Sequence, residues 1–451
     1  AMDKADIRDV LRWHREAAVR AKQAGFDIVY CYAGHNLSLP MHFMSRRFNN
    51  RTDEYGGSLE NRVRFFRQMI EETKEAVGDT CAVAVRLAVD ELLGPDGITA
   101  AEEGREIVEM LAELPDLWDV NISNWANDSE TSRFGEEGAQ EKYISFVKGL
   151  TTKPVVGVGR FTSPDAMVSQ IKRGVLDMIG AARPSIADPF LPNKIESGDL
   201  DSIRECIGCN ICVSGDNMMT PMRCTQNPTM GEEWRRGWHP EKIPGKKSES
   251  KILVIGSGPA GLECTRALGL RGYDVTLAEA KTELGGRVAN ECKLPGLGAW
   301  GRVRDYRVGQ IQTMTNVEIY LDSKLDAEHV EEMAADHVVL ATGAHWRHDG
   351  LGRANTKAIP GSDGAQVITP DDIIAGATPA GPVVVFDDDH YYMGGVIAEE
   401  LRSRGLEVTL VTPATEASSW THNTLEQERI QTRLLEMEIK IVTCQNLVEI
   451  H

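Results

Sequence analysis

The chain has 451 residues, of which 41% are hydrophobic and 26% are charged, as in a soluble globular protein. That length predicts about two to four domains, each large enough for a buried core. The net charge of −19 disfavours nucleic acid and anionic membrane surfaces as partners. The sequence contains no run of about 18 apolar residues, and its first residues are charged and amphipathic, so we expect a cytoplasmic protein without a membrane span.

Alternating helices and short apolar strands are predicted for the first 180 residues. Their regular order and short connections are typical of the parallel βα units of a (β/α)8 barrel. Five strands are fewer than the eight of a closed barrel, so we expect the chain to begin inside a barrel whose first strands are missing here. The predicted helices cover residues 6–24, 59–77, 100–113, 137–149 and 164–173, and the predicted strands cover 26–30, 81–89, 118–123, 154–159 and 177–180.

Polar and aromatic residues lie at the C-terminal ends of the predicted strands. Active sites of parallel barrels form at the C-terminal ends of the strands, where side chains from different strands meet. A single His or Arg at such a position is usually only a hydrogen-bonded structural residue, but several of them together favour a shared site. The candidates are Tyr32 with His35, Arg86, Trp125 with Asp128, Gly159 with Arg160, and Arg183.

Four cysteines follow the barrel strands at a spacing typical of an iron–sulfur site. Two residues separate Cys206 from Cys209 and Cys209 from Cys212, and Cys224 comes after eleven more. A tightly coiled loop with this spacing brings thiolates together around one cluster. Structural zinc is the alternative, but it usually takes two separated Cys-x2-Cys pairs or a Cys/His mixture. A disulfide framework fits less well, because the chain has nine cysteines, an odd number.

A glycine fingerprint in the second half of the chain predicts a nucleotide-binding unit. Gly256, Gly258 and Gly261 lie between a predicted strand and a predicted helix, and Glu279 ends the next strand. The glycines allow a pyrophosphate to approach the helix N-terminus, while the acid accepts the ribose hydroxyls. A glycine turn of purely structural use is the alternative. Residues 337–344 supply a later strand and turn of the same unit.

A second copy of this strand–helix–strand pattern is predicted for residues 383–411, after a polar linker at 232–250 and the first copy. Where the first copy has GSGPAG, the second has DDDHYYMGG. Three carboxylates and two tyrosines would repel and obstruct a dinucleotide pyrophosphate. We therefore expect the second copy to keep the fold without binding NAD(P)H.

With these motifs the chain resembles the trimethylamine/dimethylamine/histamine dehydrogenase family of iron–sulfur flavoproteins over essentially its whole length. The resemblance implies a flavin barrel of the old yellow enzyme type with covalent FMN, then a 4Fe–4S loop. Two Rossmann-like, glutathione-reductase-type nucleotide domains would follow, the first holding ADP. The motifs are RTDEYGGSLENR (51–62), GVGR (157–160), ARPSIADPFLP (182–192), CIGCNIC (206–212) and, within 224–242, CTQN and GEEWRRGWHPEK.

The resemblance also implies a domain division. Roughly the first third of the barrel and the end of the chain are expected to be missing. The cysteine that bonds FMN in the family would lie in the missing N-terminal part, so Cys31 and Cys81 have no claim to that role. The implied domains are the C-terminal part of the FMN-binding barrel (1–196), the cluster loop and linker (197–245), an ADP- or FAD-type dinucleotide-binding domain (246–356), and a truncated second Rossmann-like domain (357–451).

Around the flavin, the resemblance implies roles for several residues. Tyr32, His35 and Asp128 match the family's hydrogen-bonded active-site triad. Groups that tune proton transfer near neutral pH suit this chemistry, because the amine must present an unprotonated nitrogen. Arg86 would lie beside the flavin ring, where a cation stabilises the anionic reduced form. Trp125 matches one wall of an aromatic bowl that receives methylated ammonium groups by cation–π attraction.

Two further assignments concern the flavin phosphate and the far end of the substrate. Gly159, Arg160 and Arg183 would hold the FMN phosphate. Asp216 departs from the family, since the trimethylamine enzyme has an aromatic residue at this point of the cysteine loop. A carboxylate there suits a second cationic or hydrogen-bonding group on the substrate, as in histamine. The alternative is that Asp216 merely points to solvent.

The sequence therefore predicts an amine dehydrogenase that oxidises a primary amine, with histamine favoured, to aldehyde and ammonia at FMN. Electrons would leave through the 4Fe–4S cluster to a protein acceptor such as an electron-transferring flavoprotein, and the enzyme would be a homodimer. The alternatives are a trimethylamine or dimethylamine dehydrogenase, an NAD(P)H-dependent enoate or dienoyl-CoA reductase, and an inactive fragment that binds the cluster and ADP. The reductase needs a working pyridine-nucleotide site, against which the DDDHYYMGG turn argues.

Overall fold

The structure, a computed structural model, describes residues 2–451. The chain divides into two compact units. The first unit extends to Glu130 and resumes over Gly135–Ala182, while the second comprises Thr131–Phe134 and Arg183–His451. Both units contain parallel sheets with helices between the strands, which confirms the α/β class. The finer division into four domains stays a prediction.

A parallel five-stranded sheet forms the centre of the first unit. Each strand pairs with the next along the chain, and a helix or helical turn lies between consecutive strands. This order confirms the predicted series of parallel βα units, with strands that are mostly shorter than predicted. The strands are β1 (Ile28–Ala33), β2 (Ala82–Ala88), β3 (Leu117–Asn121), β4 (Val155–Gly157) and β5 (Met178–Ile179).

Side-chain caps fix the starts of the two longest helices of this unit. The carboxylate of Asp3 accepts hydrogen bonds from the backbone N–H groups of Ala5 and Asp6, and Ser58 caps the next long helix by accepting from Asn61. The helices are α1 (Lys4–Gln23), α2 (Leu39–Met44), α3 (Leu59–Val77), α4 (Glu103–Leu111), α5 (Trp125–Asp128), α6 (Glu141–Ile144) and α7 (Pro164–Lys172).

The predicted helix over 137–149 is wrong, because only α6 and a short 3-10 turn at Val147–Gly149 form there. Gly138 has φ +76°, and its N–H donates to Gly159 O at 2.7 Å. The Glu137 carboxylate accepts from the backbone N–H groups of Thr162 and Ser163. These tertiary hydrogen bonds hold Glu137 and Gly138 in a loop, so the helix begins only at Glu141 despite the helix-favouring residues before it.

Alternating burial along β1 shows which face of the sheet is covered by helices. Val29, Cys31 and Ala33 are buried, and Cys31 Sγ lies 3.7 Å from Thr73 Oγ1 of α3. Ile28 and Tyr30 point to the opposite face and are 44% and 47% exposed. Because successive side chains alternate, Tyr32 shares the face of Ile28 and Tyr30. Tyr32 therefore lies on the less buried face of β1.

Two further parallel sheets form the second unit. The first has four strands in the order β8-β7-β6-β9, and the second has three in the order β10-β11-β12. Each contains a strand–helix–strand repeat at the position predicted from the sequence. The strands are β6 (Lys251–Ile255), β7 (Asp274–Ala278), β8 (Val317–Tyr320), β9 (His337–Leu340), β10 (Val383–Phe386), β11 (Val408–Val411) and β12 (Lys440–Val442).

Each sheet of the second unit packs against its own helices around a separate apolar core. None of the helices described over residues 2–451 is long and apolar enough to cross a membrane. The helices are α8 (Ala182–Ala187, beginning at the boundary of the units), α9 (Leu191–Ser197), α10 (Ile211–Asn217), α11 (Glu233–Arg236), α12 (Pro259–Leu270), α13 (Val288–Glu291), α14 (Arg302–Gln312), α15 (Ala327–Glu332), α16 (Pro370–Ile374), α17 (Met393–Ser403) and α18 (Gln427–Glu436).

Candidate active site and cofactor sites

Three polar residues of the first unit lie side by side across neighbouring strands. Tyr32 of β1 is in register with Arg86 of β2, and Arg86 is in register with Asp119 of β3. Residues in register on parallel strands point to the same face of a sheet. The fold thus forms a polar row near the carboxyl ends of three strands, where barrel active sites form.

The predicted triad of Tyr32, His35 and Asp128 comes together at the end of this row. Tyr32 Oη lies 2.5 Å from His35 Nδ1, and His35 Nε2 lies 2.8 Å from Asp128 Oδ2. His35 follows β1 with φ +57°, and Asp128 ends the short helix α5. The structure therefore shows the predicted hydrogen-bonded contacts, while the catalytic role of the three residues stays a prediction.

Three residues that the sequence did not identify complete this network. Asn121 Nδ2 lies 2.7 Å from His35 Nε2, and Gln140 Nε2 donates to Asp128 Oδ1 at 2.8 Å. Asp119 Oδ2 accepts from Arg86 Nη1 at 3.0 Å. Asp119 and Asn121 are two residues apart on β3, and this spacing in the sequence could have indicated that both side chains point to the same face. No local pattern identified Gln140, which comes from a loop.

The environment shifts the pKa values of the two carboxyl groups of this network in opposite directions. Burial raises the pKa of Asp119, against the opposing effect of Arg86. Burial also acts to raise the pKa of Asp128, but hydrogen bonds from His35 and Gln140, with the charge of Arg86, lower it overall. Asp128 is therefore ionised at neutral pH and orients the His35 ring.

Arg86 carries the donor that best fits a bound flavin. Its Nη1 and Nη2 pair with Asp119 and with Asp128, the latter at 3.2 Å. Its Nε is buried and has no hydrogen-bond partner among residues 2–451. A buried guanidinium nitrogen without a hydrogen-bond acceptor is energetically unfavourable. A flavin carbonyl or ring nitrogen would supply such an acceptor.

The proposed phosphate-binding residues are divided between the two units. Gly159 and Arg160 follow β4 in the first unit, and Arg160 has a left-handed backbone with φ +55°. A Cβ at Gly159 would lie 3.3 Å from Gly138 Cα. Arg183 belongs to the second unit, where its Nη1 donates to Asn210 Oδ1 at 2.6 Å. Their common phosphate site stays a prediction.

The predicted substrate residues are also divided between the units. Trp125 opens α5 in the first unit and is half-buried, with the side chain of Asn124 capping its helix. Asp216 lies in the last turn of α10 in the second unit, and its side chain is exposed. A pocket lined by both residues stays a prediction.

Backbone N–H groups surround the sulfur atoms of the cysteine loop. Gly208 N donates to Cys206 Sγ at 3.4 Å. Each such N–H stabilises the thiolate form of its cysteine, which is the form that binds iron. The other donors are Ile211 to Cys209, Val213 to Cys212, and Gln226 and Asn227 to Cys224.

Burial nevertheless keeps these thiols weakly acidic. It raises the pKa of Cys209 to about 12 and that of Cys212 to about 11, and the charges of Cys206 and Cys224 act in the same direction on both. A bound metal deprotonates such thiols through its own positive charge. The four sulfur atoms therefore lie close enough for their charges to affect one another, while Cys209 and Cys224 are only partly buried.

The four cysteines are predicted to hold a 4Fe–4S cluster, and this assignment stays a prediction. Among residues 2–451, no three His, Cys, Asp or Glu side chains come close enough to hold one metal ion. Tetrahedral zinc needs all four ligands at one point. In a 4Fe–4S cluster each thiolate binds a different iron atom, which spaces the sulfur atoms more widely.

The first nucleotide turn has the shape that a pyrophosphate needs. Gly256 has φ +98°, and a Cβ at Gly261 would overlap the backbone oxygen of Gly256. A Cβ at Gly258, just before α12, would meet nothing within 4 Å. Glu279 follows β7, and its Oε2 accepts from Ser257 N at 2.8 Å. The turn leaves open space at the N-terminus of a twelve-residue helix.

The corresponding turn of the second repeat is filled by its own side chains. Asp387 is buried and accepts from the backbone N–H of His390 at 3.0 Å. Tyr391 packs edge-on against Trp420 and Tyr392, with ring centroids 4.7 and 4.8 Å apart. Tyr392 Oη donates to Glu291 Oε2 at 3.1 Å. These contacts support the expectation that this turn does not bind NAD(P)H.

Comparison with known proteins agrees with this arrangement. Residues 1–201 match the NADH:flavin oxidoreductase / NADH oxidase family, and residues 250–451 match the pyridine nucleotide-disulphide oxidoreductase family. Dimethylamine dehydrogenase from Hyphomicrobium sp. (strain x) is 41% identical over 454 residues, covering 97% of this chain and 61% of that protein. The chain belongs to the trimethylamine/dimethylamine/histamine dehydrogenase family.

Two solved structures of amine-oxidising relatives superpose on the entire chain. The 6-hydroxypseudooxynicotine amine oxidase of Pseudomonas geniculata N1 is 57% identical with a TM-score of 0.98, and 68% of its chain is covered. Histamine dehydrogenase from Rhizobium sp. 4-9 is 54% identical with a TM-score of 0.96, and 66% of its chain is covered. The chain thus spans about two thirds of these structures and 61% of the dimethylamine dehydrogenase.

Replacing two glycines of the first turn should separate folding from nucleotide binding. We expect Gly258→Ala to keep the thermal stability but to weaken ADP binding by about tenfold or more, since the methyl group enters space needed by the pyrophosphate. Gly261→Ala should lower the free energy of unfolding by about 1–3 kcal/mol through backbone overlap. Thermal denaturation and calorimetric ADP titration measure both effects. Equal ADP affinity for Gly258→Ala and the parent protein would contradict the assigned pyrophosphate position.

Proposed function

We propose that this chain is part of an amine dehydrogenase that oxidises a primary amine to an aldehyde and ammonia at FMN. The observation that carries the proposal is the network of Tyr32, His35 and Asp128 beside Arg86. The similar proteins named dimethylamine dehydrogenase, histamine dehydrogenase and amine oxidase support an amine as substrate. The chemistry converts an amine and water to an aldehyde and ammonia with loss of two electrons and two protons.

Bound FMN would supply the two-electron acceptor for this oxidation. The chain would hold it through Arg86 at the ring and through Gly159, Arg160 and Arg183 at the phosphate. Cys31 is an unsuitable covalent attachment point, because burial raises the pKa of its thiol to about 12.

The triad would control the proton on the substrate nitrogen. The ionised Asp128 holds His35 through Nε2, and the other ring nitrogen, Nδ1, meets the Tyr32 hydroxyl. Burial raises the pKa of Tyr32, so its hydroxyl stays neutral at physiological pH. The hydroxyl can then accept a proton from the ammonium form of the substrate as it passes its own proton to the imidazole.

Cys206, Cys209, Cys212 and Cys224 would hold a 4Fe–4S cluster. The spacing of the four cysteines supports this assignment over zinc, and backbone N–H donors would stabilise their thiolates. Electrons would leave through the cluster to a protein acceptor such as an electron-transferring flavoprotein, and the enzyme would be a homodimer. Both partner assignments follow from the family resemblance.

Replacing a cluster ligand should remove iron without abolishing the fold. We expect the protein purified without oxygen to contain about four iron and four sulfide ions, and Cys212→Ala to lose most of both. Colorimetric iron and acid-labile sulfide assays measure the content. Cys264→Ala is the matched control, because Cys264 lies in the first nucleotide-type repeat. Stoichiometric zinc in place of iron would end the cluster assignment.

The filled second turn predicts that NADH does not reduce the flavin. The first nucleotide site should bind ADP, or the ADP half of FAD, through Gly256, Gly258, Gly261 and Glu279. In stopped-flow experiments without oxygen, excess NADH should leave the flavin oxidised, whereas an amine substrate bleaches it. Rapid bleaching by NADH would instead favour the enoate or dienoyl-CoA reductase.

We further propose that Asp216 selects substrates with a polar or basic far end, such as histamine, while Trp125 offers an aromatic face. A partly desolvated, charge-assisted contact contributes about 1.5–3 kcal/mol, roughly ten- to a hundredfold in kcat/KM. In the complete enzyme, Asp216→Ala should therefore lower kcat/KM for histamine by about ten- to a hundredfold.

A monoamine with an apolar tail serves as the control substrate, since it cannot pair with the carboxylate. Its kcat/KM should change little in Asp216→Ala, while Asp216→Glu should retain most of the histamine activity. An equal loss for both substrates would assign Asp216 to the fold of the cysteine loop. Faster turnover of trimethylamine or dimethylamine than of histamine by the parent enzyme would favour the methylamine alternatives.

A further inference from the structure

Ser132 contacts the cysteine loop twice. It belongs to Thr131–Phe134, the four-residue segment that is part of the second unit. Ser132 Oγ donates to Ile207 O at 2.7 Å, and Ser132 N donates to Gly208 O at 3.0 Å. Both acceptors lie between Cys206 and Cys209, so one serine binds the short turn that joins two of the proposed ligands.

The peptide bond that Ser132 contacts is also the donor to a sulfur atom. Ile207 O and Gly208 N belong to one peptide group, and Gly208 N donates to Cys206 Sγ at 3.4 Å. A hydrogen bond to a peptide oxygen polarises the peptide and strengthens the hydrogen bond that its N–H donates. The hydroxyl of Ser132, the peptide and the sulfur thus form a continuous chain of hydrogen bonds.

Neighbouring contacts fix Ser132 in this position. Arg133 forms a buried ion pair with Glu399 of α17, and Phe134 packs against the core around β10 and β11. Gly208 has φ +63°, and a Cβ on it would lie 2.8 Å from Ser132 N. This close approach requires glycine, so the serine and the turn match each other in shape as well as in hydrogen bonding.

We propose that Ser132 is a positioning residue that strengthens the N–H···S hydrogen bond to Cys206 and thereby raises the reduction potential of the cluster. The inference rests on the proposed 4Fe–4S cluster. One-electron reduction adds negative charge to the cluster and its thiolates, and an N–H donor stabilises that charge. Ser132 therefore favours the reduced cluster, the state that forms when the oxidised cluster accepts an electron from the flavin.

The test is an anaerobic redox titration of the complete holoenzyme, followed by the EPR signal of the reduced cluster. We expect Ser132→Ala to lower the midpoint potential, with up to about a tenfold smaller ratio of reduced to oxidised cluster at a given ambient potential. For a one-electron couple, that factor is about 59 mV. Ser132→Thr keeps the hydroxyl and should keep the parent potential.

Ser214→Ala provides the control within the same loop. Ser214 Oγ donates to Ile211 O at 2.8 Å, and the N–H of that peptide group belongs to Cys212, which is not among the sulfur donors described above. Its removal should leave the midpoint potential unchanged. Should Ser132→Ala lose its iron, Ser132→Cys replaces the hydroxyl by a weaker donor and should give a potential below that of the parent.

The outcomes distinguish a failure of the cluster assignment from a failure of the role of Ser132. An absence of iron and sulfide in the parent holoenzyme overturns the cluster assignment and the role of Ser132 with it. A parent protein with a full cluster, but with equal potentials in the parent, Ala and Cys forms, overturns the role of Ser132 alone. A lowered potential in Ser132→Ala or Ser132→Cys, with no change in Ser132→Thr and Ser214→Ala, supports it.

Discussion

The candidate active site depends on the hydrogen bonds and the ion pair that the Asp128 carboxylate forms. Its Oδ2 contacts both His35 and Arg86, while its Oδ1 accepts from Gln140. A buried carboxylate is stable only if such partners compensate its lost hydration. The same partners lower its pKa and fix the imidazole, so the groups that stabilise the charge also orient the residue that would move the proton.

The cysteine loop meets the same physical constraint in a different way. Buried thiolates are costly, and burial is the largest of the effects that raise the pKa of Cys209 and Cys212 above the ordinary thiol value. Backbone N–H groups stabilise the anionic form without adding a charge that would compete with the metal. Amide donors at every cysteine would suit the proposed 4Fe–4S cluster, which would change its charge by one unit at each electron transfer, because no side chain would have to change its protonation state.

The sequence predicted the parts of both sites that have a fixed local pattern. Tyr32 lies near the end of a strand and His35 follows it, and the four cysteines have a diagnostic spacing, so these residues could be identified without coordinates. Gln140 and Ser132 could not, because each acts through a contact with a residue distant in sequence or in another segment. The wrong helix over 137–149 has the same cause, since Glu137 and Gly138 form hydrogen bonds with the loop after β4.

The two nucleotide-type repeats share one architecture but differ in whether the turn after the first strand leaves space for a ligand. At the first turn, glycines leave the N-terminus of α12 open, and Glu279 stands at the end of the next strand. At the second turn, the buried Asp387 accepts a hydrogen bond from the backbone N–H of His390, and Tyr391 and Tyr392 fill the adjacent volume with rings packed edge-on. An anion entering there would have to displace packed aromatic rings and lie beside a carboxyl group, both unfavourable. The strand–helix–strand fold is present in both repeats although their turn sequences differ, and at the second turn Tyr392 and Met393 are themselves part of the apolar packing.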